Sequence, residues 1–267
     1  MKKTNYYKNL VNKIHDKTLK VSVIGLGYVG LPLSLLIAKK KFTVCGIDID
    51  KKKILKTYKN DYFSKKINIK YKKSWEKNFK IFNNYKNIGH SDLVIICVPT
   101  PLTSDKKPDL SYLKSVLNSL KENISKGTLI ALESTSYPGT TKEFFIDPFK
   151  NELKIGEELF VGFSPERIDP SRNENKLDKI PKVISGHTNK CKKLMNLFYN
   201  KIFKKIHVAP SLEVAELSKL LENIYRAVNI GFINEMKFVA EKMNIDIYDT
   251  ISAAKTKPYG FRPFMPG

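Results

Sequence analysis

Three glycines and one acidic residue form the pattern with the most definite chemistry in this sequence. Gly25, Gly27 and Gly30 follow an apolar run and open an apolar helical pattern, and Asp48 ends the next apolar run. Glycines here allow a tight turn, close approach of the backbone to a pyrophosphate, and close packing of helix on strand. The first N–H groups of the helix then face the phosphates, and the carboxylate of Asp48 can accept both ribose hydroxyls. An acid there repels a 2′-phosphate, so the pattern predicts a site that prefers NAD to NADP.

The residues around this loop supply further candidate contacts to NAD. Tyr28 and Val29 lie within the glycine turn, and Thr100 and Thr135 lie in polar segments that directly follow apolar strands. Doubly wound sheets bind ligands at the carboxyl ends of their strands. Lys53, just after Asp48, could reach the adenosine, although a solvated lysine is an equally good interpretation.

A second group of polar residues has the spacing of a helical stripe. Lys219 and Asn223 are four residues apart and share one helix face, which Arg226 extends by a turn. A cation and an amide directed at one point can bind developing negative charge, although a solvated stripe is the alternative. Glu166, next to Arg167 in a polar loop, is a candidate acid–base group, or else a structural carboxylate paired with that arginine.

The elements that must position these groups alternate between strand and helix. Apolar strands are predicted at 20–24, 43–47, 93–98, 127–132, 160–163, 182–185 and 205–208, with helices at 31–40, 109–123, 140–153 and 189–203. A short helix is possible at the N-terminus, and the lysine-rich stretch up to about residue 85 has no clear pattern. This alternation predicts a doubly wound, Rossmann-like α/β fold with a parallel sheet.

A much longer helix follows. Ser211 is a good N-cap, and no proline interrupts residues 212–243, a length of roughly 50 Å at 1.5 Å per residue. Such a helix is typical of a spine that joins domains or subunits. We therefore divide the chain into an NAD-binding domain at 1–209 and a central helical region at 210–267, and expect a homodimer through the long helix.

Composition excludes several classes of protein. The net charge is +22, but only four of the 48 basic residues are arginine, so base-edge readout of a nucleic acid is not expected. No apolar run could span a bilayer or serve as a signal peptide, which predicts a cytoplasmic protein with no membrane partner. Three scattered cysteines suit neither a disulfide framework nor a metal site.

Tyr62 and Lys66 have the spacing used by short-chain dehydrogenases, but they come too early in the chain to reach a substrate.

Five ordered motifs show a resemblance to a known family. They are GLGYVGLP at 25–32, CVPTP at 97–101, ESTSYPGTT at 133–141, FSPERIDP at 163–170 and KLLENIYRAVNIGFINE at 219–235. Over about residues 18–267 the chain resembles the UDP-glucose/GDP-mannose dehydrogenases. The segments at 108–112, 180–183 and 256–267 favour the UDP-N-acetylglucosamine 6-dehydrogenase branch; oxidation of UDP-glucose or UDP-N-acetylmannosamine is the alternative.

The resemblance implies a two-step oxidation of a UDP-sugar C6 hydroxyl to a carboxylate, with two NAD consumed, for surface-polysaccharide synthesis. It assigns oxyanion stabilisation to Lys219 and Asn223, proton transfer to Glu166, and orientation of a water molecule to Thr135. Substrate contacts are expected from Glu166, Arg167, Lys219, Asn223 and Arg226.

One departure from the family pattern concerns the second oxidation. That step needs a cysteine nucleophile in a segment similar to GGHCIP, and Cys45, Cys97 and Cys191 all lie in other contexts. The C-terminal UDP-binding domain of the family is also expected to be absent from these 267 residues. We therefore expect an incomplete reaction, with a non-catalytic NAD-binding or dimerising fragment as the alternative.

Overall fold

The computed structural model describes residues 4–50, 77–167 and 177–267. It divides into two compact units, of which the first ends at Leu217 and the second comprises Ser218–Gly267. Each unit is considered by itself below.

A sheet of eight strands forms the centre of the first unit, in the spatial order β3-β2-β1-β4-β5-β6-β7-β8. In the described part of the chain every neighbouring pair is parallel except β6 and β7, which are antiparallel. The strands are β1 Lys20–Ile24, β2 Thr43–Ile47, β3 Phe79–Phe82, β4 Leu93–Ile96, β5 Thr128–Leu132, β6 Leu159–Phe163, β7 Lys182–Gly186 and β8 Ile206–Val208.

Helices separate most of these strands. They are α1 Tyr6–His15, α2 Gly30–Lys39, α3 Ser111–Asn123, α4 Thr140–Phe145, α5 Asn189–Ile202, α6 Leu212–Lys242 and α7 Ile247–Ala254, with 3₁₀ turns at Tyr85–His90 and Leu177–Lys179. The doubly wound α/β fold predicted from the sequence is confirmed, with one reversed strand pairing.

Apolar side chains project from both faces of the sheet, as expected when helices cover both faces. In β4, Leu93 and Ile95 join one buried cluster, whereas Val94 and Ile96 join another. Alternate residues of a strand point to opposite faces, so a continuous apolar run serves two cores. This explains why the central strands read as unbroken apolar runs.

Two elements differ from the sequence predictions. The helix predicted at 140–153 ends at Phe145 and continues as turns. Pro148 explains the early end, because the residue before a proline is pushed out of helical geometry. The edge strand β3 was not predicted; it lies in the lysine-rich stretch and has only one fully buried residue, Phe79.

The second unit contains most of α6 together with α7. Its small core comprises Ile233, Ala240, Ile247 and Ile251, with Phe264 packed against it. The final segment returns to α6, where the backbone N–H of Gly267 donates to Asn234 Oδ1 at 3.0 Å. Among the described residues, no helix combines the length and the apolarity needed to cross a membrane.

Candidate dinucleotide site and buried acid–base cluster

The turn between β1 and α2 has the geometry that a dinucleotide loop requires. Gly25 has a φ of +90°, and a Cβ there would lie 2.7 Å from the Cys97 carbonyl oxygen. A Cβ on Gly30 would lie 1.9 Å from the Gly25 carbonyl oxygen, so neither position tolerates a side chain. At Gly27, by contrast, a Cβ would meet nothing within 4 Å. The turn is therefore tightly packed underneath and open above Gly27, where a pyrophosphate would approach.

Asp48 is tied directly to this turn. Its Oδ2 accepts the backbone N–H of Leu26 at 2.9 Å, and its Oδ1 accepts that of Asp50 at 2.9 Å. Each carboxylate oxygen has further acceptor capacity, which suits the two hydroxyls of a ribose. The residues present therefore fit the adenosine side of NAD.

Tyr28 and Val29 complete the turn before α2. Tyr28 is 61% exposed, and Val29, the N-cap of α2, makes no side-chain capping bond. The first N–H groups of a helix need an outside partner, which a phosphate can supply. Lys53, the other predicted contact, lies outside the described residues.

The loops that follow β4 and β5 are bonded to each other. Thr100 Oγ1 donates to the Thr135 carbonyl oxygen at 2.6 Å, and Ser134 Oγ donates to the Val98 carbonyl oxygen at 2.7 Å. The structure thus brings Thr100 and Thr135 together. Next to them, the buried hydroxyl of Ser136 has no hydrogen-bond partner within the described ranges. A buried hydroxyl without a partner is costly, so this atom is a good candidate for a ligand contact.

Glu166 belongs to a buried cluster of charges. Its Oε2 lies 3.2 Å from Lys182 Nζ, and the same Nζ lies 2.7 Å from Glu133 Oε2. The hydroxyl of Tyr199 donates a short hydrogen bond to Glu133 Oε1. All four side chains are buried, so two carboxylates share one lysine in a site with little access to water.

The antiparallel pairing of β7 explains how Lys182 reaches this cluster. Glu133 comes directly after β5, and Glu166 lies shortly after β6, at the carboxyl edge of the sheet. Because β7 runs opposite to β6, its first residue lies at that same edge. The reversed strand therefore delivers a cation to the two carboxylates.

Burial and charge together set the protonation of this cluster. Burial alone would lower the pKa of Lys182, but the charges of Glu133 and Glu166 outweigh it and raise the pKa to about 12. Burial raises the pKa of Glu133, against the opposing charge of Lys182. Burial, with the charge of Glu133, also raises the pKa of Tyr199 well above its usual value. At neutral pH the lysine is therefore charged and the tyrosine is a hydrogen-bond donor.

Cys97 connects the cluster to the dinucleotide turn. Its carbonyl oxygen packs against Gly25, and its buried thiol interacts electrostatically with Glu133, Lys182 and Glu166. Burial raises the pKa of this thiol well above its usual value, and it also raises the pKa of Cys45. Neither thiol is activated as a nucleophile.

Arg167 donates hydrogen bonds both to its neighbour Glu166 and to the segment before β7. Its backbone N–H donates to Glu166 Oε1 at 2.6 Å, while its guanidinium Nη1 donates to the Pro181 carbonyl oxygen at 3.0 Å. Lys182 is an ion-pair partner of Glu166, and the role of Arg167 as a further partner stays a prediction.

The predicted oxyanion residues belong to the second unit. Lys219, Asn223 and Arg226 lie on α6, and Arg226 Nη2 donates to Asn223 Oδ1 at 3.0 Å. Glu166 and Thr135 belong to the first unit. The combined catalytic and substrate-binding roles of these residues stay predictions.

Sequence reasoning assigned no role to Glu133, Ser136, Lys182 or Tyr199. Two weak signals were present: a lysine opens an otherwise apolar strand, and a glutamate follows an unbroken apolar strand directly. Tyr199 had no such signal, because an aromatic residue on an amphipathic helix is usually a core residue. In the described part of the chain, no cluster of three or more histidine, cysteine or acidic residues could hold a metal ion.

The fold and the glycine turn define a dinucleotide-binding domain of the doubly wound class, and comparison with known families makes this specific. Residues 19–203 match the NAD binding domain of the UDP-glucose/GDP-mannose dehydrogenase family, and residues 213–267 match its central domain. The chain belongs to this family. The prediction of NAD as the cofactor is thereby confirmed.

The similar proteins are named for two different substrates. The chain is 37% identical over 255 residues to UDP-N-acetyl-D-glucosamine 6-dehydrogenase of Pseudomonas aeruginosa, covering 94% of this chain and 60% of that protein. It is 31% identical over 245 residues to UDP-N-acetyl-D-mannosamine dehydrogenase of Pyrococcus horikoshii, covering 90% of this chain and 58% of that protein. A solved structure of UDP-D-ManNAc dehydrogenase from Pyrococcus horikoshii superposes with a TM-score of 0.84 at 30% identity, covering 93% of this chain and 60% of that one. The chain thus spans about 60% of the length of these relatives.

Proposed function

We propose that this chain carries the NAD-binding and sugar-oxidising machinery of a UDP-N-acetylglucosamine 6-dehydrogenase. The observation that carries the proposal is the carboxyl edge of the sheet, where the dinucleotide turn, Cys97 and the cluster of Glu133, Lys182 and Glu166 adjoin one another. A hydride acceptor and an acid–base group are the two components that oxidation of an alcohol requires. The expected setting is cytoplasmic synthesis of uronate sugars for a surface polysaccharide.

In this proposal the chain's own residues bind, orient and exchange protons. Asp48 holds the adenosine ribose, and the N–H groups at the start of α2 hold the pyrophosphate. Bound NAD would supply the acceptor for the hydride of C6. Glu166 takes the proton of the C6 hydroxyl, directly or through a water molecule, and Lys182 compensates the charge of the carboxylate.

In this proposal Lys219 and Asn223 stabilise the oxyanion at C6, and Arg226 contributes a further contact to the substrate. Thr135 orients a water molecule in this proposal. The neighbouring hydroxyl of Ser136, buried and without a partner in the described residues, is a second candidate for that contact.

The second oxidation needs a nucleophile that these residues do not offer. An aldehyde becomes a hydride donor only after a group adds to its carbon, and a thiolate does this most readily. The pKa values of Cys45 and Cys97 are raised. Cys191, in the first turn of α5, is fully buried, and its Sγ accepts a hydrogen bond from Thr188 Oγ1 at 3.1 Å. We propose that the residues of this chain perform the first oxidation and that the second depends on a thiolate outside it.

Subunit association is a further part of the proposal. Exposed apolar residues recur every three or four positions along α6, which gives a continuous apolar face. They are Leu221, Ile224, Val228 and Phe232. An apolar face of this length is typical of an interface, and we propose that two copies pair through it.

The experiment that tests the function uses the purified chain with NAD and either UDP-N-acetylglucosamine, UDP-N-acetylmannosamine or UDP-glucose. Calorimetry should show NAD binding, and a sensitive assay for NADH should show at most a slow single oxidation with UDP-N-acetylglucosamine. Glu166→Gln should abolish that oxidation and preserve NAD binding. Sustained formation of uronate with two NADH per sugar would contradict the proposal that the second oxidation needs a thiolate from outside these residues. Faster reaction of another sugar would change the assigned substrate.

A further inference from the structure

Glu216, in the second turn of α6, makes an unusual set of contacts for a buried carboxylate. It is fully buried, and its Oε2 accepts the backbone N–H of Gly139 at 2.6 Å. Its Oε1 accepts both the backbone N–H of Thr141 at 2.8 Å and the Thr141 hydroxyl at 2.6 Å. Three short hydrogen bonds from two residues therefore converge on one carboxylate.

These bonds add long-range support to a turn whose own hydrogen bonds join Thr140 to the Tyr137 carbonyl oxygen. Gly139 has a φ of +100° and precedes the six-residue helix α4 without any side-chain capping bond. The first N–H groups of a helix lack partners within it, so Glu216 supplies them from a distant part of the chain. Burying a carboxylate is costly unless it is hydrogen-bonded, and here no described cation forms an ion pair with it. The turn and the carboxylate thus depend on each other.

The turn held by Glu216 is one end of the loop that carries Thr135 and Ser136. The other end is held by Glu133, through its ion pair with Lys182. Between the two ends, the Thr135 carbonyl is bonded to Thr100. With both ends anchored, the side chains in the middle have a fixed position at the carboxyl edge of the sheet.

We propose that Glu216 is a positioning residue, which holds the loop of Thr135 and Ser136 in the geometry that binds NAD. The inference rests on the proposed function, in which Thr135 contacts the cofactor. Within the described residues, the side-chain hydrogen bonds of Glu216 go to Gly139 and Thr141, so it acts through the loop. Hydrogen bonds to charged groups contribute more than neutral ones, so losing three of them should displace the loop.

The experiment compares NAD affinity in the full chain and in matched variants. Glu216→Ala should weaken NAD binding about tenfold, the change that corresponds to one strong hydrogen bond. Glu216→Gln keeps the shape and one acceptor oxygen but directs an amide N–H₂ at another donor, so an intermediate loss is expected. Glu213→Gln, on the exposed face of the preceding turn of α6, should bind NAD like the unaltered chain.

Two further measurements separate positioning from stability. Val116→Ala removes buried atoms from α3 and lowers stability without removing a hydrogen bond of the loop, so its NAD affinity should be unchanged well below its melting temperature. The amide proton signals of Gly139 and Thr141 in NMR spectra should shift upfield in Glu216→Gln, because their acceptor is no longer charged.

The outcomes distinguish the two proposals. If the unaltered chain does not bind NAD, both the proposed function and this inference are wrong. If it binds NAD, and Glu216→Ala and Glu216→Gln bind within about twofold of it, the inference alone is overturned. An equal loss of affinity in Val116→Ala would also overturn it, because the effect would then follow from stability.

Discussion

Lys182 and Glu133 form an ion pair that water does not reach, with 2.7 Å between Nζ and Oε2. The lysine is the first residue of the reversed strand β7, and the glutamate is the first residue after β5. Their contact places a permanent positive charge at the edge of the sheet where Glu166 also lies. A buried ion pair is weak evidence for stability, because desolvation opposes the attraction, but its loss from one side leaves a buried charge uncompensated.

Replacement of this lysine should therefore be strongly destabilising. Lys182→Met leaves the carboxylates of Glu133 and Glu166 buried without their cation, and we expect the free energy of unfolding to fall by about 3–5 kcal/mol. Urea denaturation followed by circular dichroism measures the change. The control is Lys126→Met, which removes an exposed ion pair with Glu158 and should leave stability nearly unchanged. Equal effects of the two substitutions would show that the buried pair has no special role.

The same cluster should make the protein sensitive to alkaline pH. The pKa of Lys182 is raised to about 12 from 10.5, so the folded state keeps a proton that the unfolded chain has lost. The stabilisation is complete below pH 10.5 and disappears as the pH rises through 12, a loss of about 2 kcal/mol. Unfolding free energies measured across this range should fall more steeply in the unaltered chain than in Lys182→Met. Parallel curves would contradict the assignment.

Tyr199 should add to the loss of stability at alkaline pH, because its pKa is raised in the folded state, as is that of Lys182. A tyrosine whose pKa is raised in the folded state stabilises the fold fully only below its usual pKa. This contribution to the free energy of unfolding is lost as the pH rises above that usual pKa. Tyr199→Phe should consequently flatten the alkaline part of the stability curve. It should also lower stability at neutral pH, because Glu133 loses a hydrogen-bond donor.

The sequence predicted those features of the fold that depend on residues close together in the chain. The strands Lys20–Ile24 and Thr43–Ile47 were predicted at their observed bounds, because unbroken apolar runs end at Gly25 and Asp48. The long helix was predicted to within one residue of its observed end at Lys242, since nothing in that stretch breaks helical geometry. Residues next to each other in the sequence carried these signals.

Contacts between distant segments could not be predicted in the same way. The direction of β7 depends on the path of the chain before it, and nothing in the strand itself indicates that it runs antiparallel to β6. The pairing of Lys182 with Glu133 follows from that direction. Likewise, the bonds from Gly139 and Thr141 to Glu216 join segments far apart in the sequence, and no spacing rule connects them.

Cofactor preference provides a direct test of the dinucleotide site. We expect the chain to bind NAD at least tenfold more tightly than NADP, because in the proposed site Asp48 accepts ribose hydroxyls and repels a 2′-phosphate. Asp48→Asn should weaken NAD binding and reduce the difference between the two cofactors. Asp50→Asn removes the same charge two residues later and serves as the control. Calorimetry that shows equal or tighter binding of NADP by the unaltered chain would disprove the assignment.

The apolar face of α6 leads to a prediction about assembly. Val228 is 64% exposed at the middle of the face formed by Leu221, Ile224, Val228 and Phe232. Burial of such side chains in a second copy removes apolar surface from water, at about 25 cal/mol per Å². Sedimentation velocity at micromolar concentration should therefore show a dimer for the unaltered chain and a monomer for Val228→Asp. Ala227→Asp places the same charge about 100° further round the helix and should remain dimeric. A monomer for the unaltered chain, or dimers for both variants, would rule out pairing through this face.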